Sequence, residues 1–569
     1  MSMDPRPLKQ RLMTRLGSLE AERSSWTTHW QECSDFILPR AGRFETSDRN
    51  LGEKRHTEIY DSTATRALRV EAAGMMAGAT SPARPWFRLA LADPDLNRYQ
   101  PVKQWLDEVT KLMQRVFQRS NVYRTLHSMY EELGAFGTAA CIIQPDFDNV
   151  IHLHSVTIGE YCLSTSSRGE VDTIYRKFDM TVAQLVGEFG LDAVSRGVRS
   201  RYEGGNLDSW VTVVQAIEPR GARERYSGKL DNLNMPWRSC YFEVGGDEQL
   251  LLRESGYERF PVLAPRWSVS GGDIYGNGPG MEALGDIRAL QLLQLRKAQA
   301  IDYQTQPPLQ APTSMQSAEV NMLPGGVTFV DAANPQAGIR PAWETRLELS
   351  PMLMDIAEHQ RRINSAFYSD MFLMLASAGP QTRMTATEVA ERHEEKLLML
   401  GPVLERLHNE LLRPLIDNTF DHMAKVGMLP AMPEQIAGMD IQPEFVSMLA
   451  QAQRAIGTNA VDRFLGHVAG VAQYKPEVLD KIDTDYLVDS YGDMLGVDPH
   501  AILATEDVAD IRRARNEAMA AKEQQAMAAQ QAQAARNLAA VPTGPGANNA
   551  ANDLMSQFSG YSSPPPQAY

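Results

Sequence analysis

The stretch TATEVAERHEEKLLMLGPVLERLHNELLRPL, Thr385 to Leu415, places leucine at Leu397, Leu400, Leu404, Leu407, Leu411 and Leu415, which is helical spacing. Carried on to Val426, the pattern gives a helix of roughly 40 residues, or ~60 Å. Thr385 and Glu388 have the S/T-x-x-E form of a capping box that would start it. Gly401-Pro402 and Pro414 fall inside the pattern, where proline removes a backbone donor and crowds the preceding turn, so bends are expected there. A short polar loop, ASAGPQTRM, feeds the helix. A globular core seldom needs one helix of this length with hinges built into it, so the pattern predicts a long articulated strut with a loop at its end.

The chain has 569 residues, too many for one hydrophobic core, and at least three structural units are expected. With 43% hydrophobic and 22% charged residues it reads as an ordinary soluble protein. No apolar run approaches the roughly 18 residues that span a bilayer, and the first residues carry no secretory pattern, so no membrane association is expected and folding in a cytoplasm is. Cys33, Cys141, Cys162 and Cys240 are far apart and read as buried thiols rather than as a disulfide framework or zinc site. A net charge of -15 argues against a tight grip on nucleic acid, which depends on Lys and Arg neutralising phosphates.

Along the chain, Pro7 to Leu38 reads as one or two helices, followed by a helix of small residues capped by Asp61 or Ser62 and ending near Ala79. Two amphipathic helices follow, over 102–119 and 124–136. After Gly137 the pattern changes to alternation, predicting a β-rich domain over roughly residues 138–270 with an inserted helix at Thr181 to Phe189. A Gly-Pro entry then opens a helix of about 25 residues. A Pro/Gly-rich insertion separates it from a second helix, Leu347 to Leu375. Beyond Pro430 a smaller helical region is expected, with Phe445 to Ala455 and Val461 to Val471 its clearest helices. The Ala/Gln-rich 505–540 has high helix propensity but little to bury, and 541–569 has the composition of a disordered tail.

Catalytic and ligand motifs are sparse. Gly276, Gly278 and Gly280 precede a helix, but Pro279 removes a donor and no Walker lysine follows, so a tight turn is preferred to a phosphate loop. His152 and His154 share one face of a strand and lack a third metal ligand nearby. His393-Glu394-Glu395 lacks the second histidine of a zincin helix. The run Asp480, Asp483, Asp485, Asp489, Asp493, Asp498 lacks EF-hand spacing and reads as exposed acidic surface. No enzyme activity and no cofactor or metal are expected.

The order of these parts, with the strings WQECSDFILP, YDSTATRAL, AAGMMAGATSPARPWF, AFGTAA, RWSVSGGDIYGNGPGMEAL and MTATEVAERHEEK, resembles the portal, or head-to-tail connector, family of short-tailed bacteriophages. The likeness covers most of residues 7–425. It implies an α+β portal fold, mainly helical with a β-rich wing, and a ring, usually of twelve subunits, at one capsid vertex of the virion. The implied parts are a wing (1–280), stem helices (281–306 and 347–375), a clip (307–346), a tunnel loop (376–385), a long kinked helix back to the wing (386–428), a crown (429–504) and a carboxy-terminal crown or barrel helix (505–540).

In this scheme Ser377, Gly379, Pro380, Gln381, Thr382 and Arg383 face the DNA channel, Gly401, Pro402 and Pro414 are the kinks, and Pro307, Pro308, Gly325 and Gly326 belong to the clip. The implied partners are copies of the chain, double-stranded viral DNA, the large terminase that supplies ATP hydrolysis, tail adaptor proteins, and the major capsid and scaffolding proteins, assembled in the host cytoplasm. Two other assignments compete: a coiled-coil scaffold or adaptor of the virion built on the long helix, and a metal-dependent nucleic-acid enzyme using the acidic 480–498 segment.

Overall fold

The computed structural model describes residues 6–44, 57–93, 96–97, 99–221, 224–225, 229, 231–246, 249–311, 340–341, 348–377, 400–436, 438–446, 466–468, 470, 474–475, 477, 481, 483–488 and 505–540. They divide between two compact units, 1–94 with 104–469, and 95–103 with 470–569. Strands are numbered along the chain: β1 (Phe87–Leu91), β2 (Ala140–Asp146), β3 (Val150–Val156), β4 (Tyr161–Thr165), β5 (Val171–Thr181), β6 (Trp210–Pro219), β7 (Trp237–Glu243), β8 (Arg253–Tyr257), β9 (Val262–Leu263), β10 (Leu309–Gln310), β11 (Arg340–Pro341) and β12 (Ile441–Phe445).

The amino-terminal pattern forms one helix, Leu8–Phe36, of 29 residues. Its first half buries Leu12, Leu16 and Leu19, one helical face, against Tyr175, Val214, Ala216, Cys240 and Phe242. Its second half carries Trp30 and Cys33 into a different cluster that includes Phe136, Tyr161, Tyr275 and Ile287. One long helix therefore joins two cores. Arg23 fixes it to the sheet by donating through Nη1 to the carbonyls of Gly159 and Tyr161, each at 2.7 Å.

The alternating segments give the expected β-rich domain. Strands β4 to β8 form a five-stranded antiparallel meander in chain order, and β3-β2-β9 form a smaller sheet beside it. The inserted helix, Val182–Phe189, starts at Thr181 in a capping box with Gln184. A second helix, Arg196–Glu203, capped by Ser195, was not expected; it is short and Arg-rich, and only Val198 is buried. The edge of β3 is closed by Asn121, whose amide donates to Leu153 O at 2.7 Å and accepts from Leu153 N at 2.9 Å, as a neighbouring strand would. All four cysteines are free and buried.

The helical layer rests on small residues. Thr63–Ala79 lies against Val122–Phe136 and Ser369–Ser377. A Cβ at Gly74 would meet the Phe372 ring at 2.2 Å, so glycine is what admits that ring. In AFGTAA and GNGPG the glycines bring backbone onto backbone. Gly137 has φ 72, a Cβ there would lie 2.4 Å from Gly276 O, and a Cβ on Gly278 would lie 2.8 Å from Gly137 N. Trp267 N and Gly276 N close the joint by donating to Gly137 O at 2.9 Å and Thr138 Oγ1 at 2.8 Å. The GNGPG segment is a packing joint followed by a helical turn, Pro279–Glu282.

Two expectations are corrected. Residues 347–375 do not form one helix: Ser350–Ala366 and Ser369–Ser377 are separated at Phe367 and Tyr368, the latter at φ 53. The joint lets Phe367, Met371 and Phe372 all be buried. Nor does a helix begin at Phe445, which ends β12; that strand pairs antiparallel with β1, Phe87 opposite Phe445. Residues 447–455 of the expected helix and most of 461–471 lie outside the described residues, as does the Thr385–Glu388 capping box.

In the long helix, residues 400–407 are α-helical through Gly401-Pro402, His408–Leu412 form a π turn, and Arg413–Val426 resume the α-helix with Pro414 in its first turn. The interruption thus precedes Pro414, where the missing N–H and the ring disturb the carbonyl four residues back, that of Glu410. In the second unit, Thr505–Ala540 is one helix of 36 residues. Asp485 forms a two-point ion pair with Arg512, at 2.5 and 2.7 Å. Among the described residues no helix is long and apolar enough to cross a membrane.

Candidate functional site: the paired helices and their anchors

The first long helix after the β-rich domain, Leu284–Thr305, packs beside Ser350–Ala366 through Ile287, Leu290, Ile356 and Ile363. The chain between them leaves and returns at one place, because β10 and β11 pair, Leu309 opposite Pro341 and Gln310 opposite Arg340. Pro307 and Pro308 lie just ahead of that pair. The described ends of the segment 307–346 thus meet in a two-residue antiparallel pair.

One carboxylate, Asp61, is bonded by both helices of the pair. Asp61 Oδ1 accepts from Thr63 N at 2.8 Å and Thr63 Oγ1 at 2.5 Å, which serves the start of the Thr63–Ala79 helix. Its Oδ2 accepts from Gln294 at 2.7 Å and from Gln360 at 2.9 Å, one glutamine from each helix. Gln291 completes the joint: its amide donates to Asp61 O at 2.9 Å, and its oxygen accepts from Tyr60 N and Asp61 N, each at 2.7 Å. Burial pushes the Asp61 carboxyl up, but these hydrogen bonds outweigh it and hold the group below its ordinary value. Nearer the start of the first helix, Asp286 meets His359 Nδ1 at 2.9 Å and Arg362 at 3.6 Å.

The outer faces of these helices are unusual. Leu292, Ile301, Tyr303, Leu353 and Met354 are exposed, Met354 at 74%. Arg288, Arg296, Arg361 and Arg362 are exposed beside them. A surface of apolar residues and arginine on two adjacent helices has the composition of a protein interface.

The long helix has its own anchor. Arg266, with 3% side-chain exposure, pairs with Glu410 of the π turn through Nη2 at 2.6 Å and Nε at 3.2 Å, while Arg266 N donates to the same carboxylate at 2.9 Å. Arg266 Nη2 also donates to Gly169 O at 2.8 Å. In the same turn His408 stacks on Phe445 of β12, centroids 4.1 Å apart. The π turn thus faces the β-rich domain with one residue and β12 with another.

Of the residues singled out in the sequence, Pro307, Pro308, Gly401, Pro402 and Pro414 are described, and Ser377 is the last residue of its helix. Gly325, Gly326, Gly379, Pro380, Gln381, Thr382 and Arg383 lie outside the described residues. His152 and His154 stand opposite Gln144 and Ile142, and burial lowers His154 to about 4, helped by Arg176 and His152. No group of three metal-capable side chains occurs among the described residues. Sequence reasoning missed Gln291, Gln294, Gln360, Arg266 and Glu410. For the glutamines the one signal is polarity at positions where the helical pattern asks for apolar residues, as at buried Gln291.

A family model described as bacteriophage head to tail connecting protein matches residues 9–503. The chain belongs to this family. Two connector-family relatives align over nearly its whole length. The "Probable portal protein" of Bordetella phage BPP-1 is 56% identical over 550 residues, 97% of this chain and 98% of that protein. The "Portal protein" of Salmonella phage epsilon15 is 47% identical over 536 residues, 94% of this chain and 96% of that protein. Among solved structures, a chain of the virion of a native gene transfer agent particle aligns at 10% identity over 77% of this chain and 94% of that chain, with a TM-score of 0.34.

Proposed function

We propose that this connector-family chain is the portal of a phage: a ring at one capsid vertex through which double-stranded DNA enters during packaging and leaves at ejection. The observation that carries the reading is the full-length identity to two portal proteins, at 56% and 47%. The helix pair supports it. Leu284–Thr305 and Ser350–Ala366 serve as the stem, and their exposed apolar and arginine faces meet the next subunit in a head-to-tail contact that closes on itself. The segment 307–346 is the clip, where terminase and later the tail adaptors dock.

Residues 1–280 form the wing, 429–504 the crown, and 505–540 a carboxy-terminal crown or barrel helix. Residues 376–385 are the tunnel loop, with Gln381, Thr382 and Arg383 at its narrowest point and Arg383 touching phosphate weakly and repeatedly. A net charge of -15 suits a channel in which DNA slides, because many ion pairs to phosphate would retard it.

Native mass spectrometry with electron-microscope class averages tests the assembly. Twelve subunits of 63.3 kDa give rings of about 760 kDa with a central hole. A chain that stays monomeric or dimeric at high concentration and with scaffolding protein present refutes the ring. Arg383→Ala with packaging and DNA retention both unchanged would remove the role given to Arg383.

A further inference from the structure

Glu71 lies in the Thr63–Ala79 helix on its packed face and is 0% exposed. Neither carboxyl oxygen has a hydrogen-bond partner among the described residues. A Cβ on Gly134 would lie 2.5 Å from Oε2 and 2.7 Å from Leu68, so the carboxyl occupies the space that glycine leaves. Burial holds the acid well above its ordinary value of 4.5, which makes the neutral form the one that fits.

Along the same helix Gly74 receives the Phe372 ring, and Ser369 Oγ donates to Ala67 O at 3.3 Å. The Ser369–Ser377 helix is thereby docked on the Glu71 helix. Its direction is set by Tyr368, held at φ 53, a backbone region that costs a bulky residue free energy. Two local costs meet at one joint: a strained hinge and an unsatisfied buried carboxyl.

We propose that Glu71 and the Tyr368 hinge form a proton-dependent latch on the Ser369–Ser377 helix. Neutral Glu71 keeps the helix docked. When the acid loses its proton to water, the buried anion finds no partner, and undocking lets solvent reach it while Tyr368 relaxes. Two phenols at the joint fit this direction. Tyr368 has its hydroxyl raised by burial first, then by Glu282 and Glu71. Tyr130, from Val122–Phe136, shares a hydrogen bond with Thr80. Two phenols and a carboxylate offer no positive charge, and Arg66 and Arg69 on the Glu71 helix are exposed.

The sign follows from linkage. The docked state binds the proton more tightly than the undocked one, so docking is complete below the ordinary value of 4.5 and declines as pH rises toward the docked-state value. The decline is at most about tenfold in the docked-to-undocked ratio per pH unit. The latch does not depend on the ring reading, since all its residues belong to one chain.

Hydrogen exchange on the full-length protein between roughly pH 5 and 8, corrected for intrinsic rates, tests it. The opening equilibrium of residues 369–377 should rise with pH in the natural protein and be flat in Glu71→Gln and Glu71→Leu. Tyr368→Gly should protect the segment more at every pH and leave the slope unchanged. A flat profile in the natural protein, or the same slope in either Glu71 variant, overturns the proposal; the first of these requires no variant to fold.

Discussion

Cutting the link between Arg266 and Glu410 should free the long helix from the β-rich domain. Glu410→Ala removes the acceptor of three hydrogen bonds, at 2.6, 2.9 and 3.2 Å. Among the described residues Arg266 would then keep Gly169 O at 2.8 Å and Ile274 O at 3.3 Å while its side chain stays 3% exposed. Each charge-assisted hydrogen bond is worth about 1.5–3 kcal/mol, but stranding a buried charge dominates, at about 3–5 kcal/mol. We expect a loss of about 3–5 kcal/mol, discounted toward the lower figure because Glu410 is itself 19% exposed.

Replacing both partners with apolar residues of similar size, Arg266→Met with Glu410→Leu, should recover most of that loss, since no charge is then stranded. Urea denaturation of the four proteins in a double-mutant cycle gives the coupling, and exchange across 408–412 locates it. If Glu410→Ala costs under about 0.5 kcal/mol, or the double variant is as unstable as the single, the ion pair does not anchor the helix.

Three further outcomes are expected. Asp61 is held below its ordinary value, so its contribution is present above pH 3.8 and lost as pH falls through the folded-state value. Asp61→Asn should flatten the acid limb of a stability-against-pH curve. Gly137→Ala puts a Cβ 2.4 Å from Gly276 O at a φ of 72 and should cost about 3 kcal/mol or prevent folding, whereas Gly187→Ala, with nothing within 4 Å of its Cβ, should be neutral or slightly stabilising; thermal melts decide. Leu353→Asp with Met354→Asp places charge on side chains that are 50% and 74% exposed. On the ring proposed above, sedimentation should then find folded subunits that no longer assemble.

Much of the architecture was legible because it depends on patterns the chain carries locally. The 3.6-residue period marks Leu8–Phe36 and Leu284–Thr305, alternation marks the β4 to β8 meander, and the helix expected at Thr181 to Phe189 is Val182–Phe189. Family membership was also readable, since short strings such as AFGTAA and GNGPG occur in a fixed order. These two strings turn out to be the halves of one backbone joint at Gly137 and Gly276.

What the sequence by itself determined, then, is the type and order of most of the regular segments, and the family. The tertiary structure decided what depends on residues far apart in the chain. Tyr368 breaks a helix with no glycine or proline to announce it, because Phe367 and Phe372 gain burial that outweighs local helix propensity. Strand β12 forms because β1, some 350 residues earlier, offers it an edge. Asp61, Gln294 and Gln360 are unremarkable singly and become a hub only when three helices bring them within hydrogen-bond reach. Hydrogen bonds and buried charges act over a few ångströms in space, so a one-dimensional pattern supplies the groups while the fold alone supplies their partners.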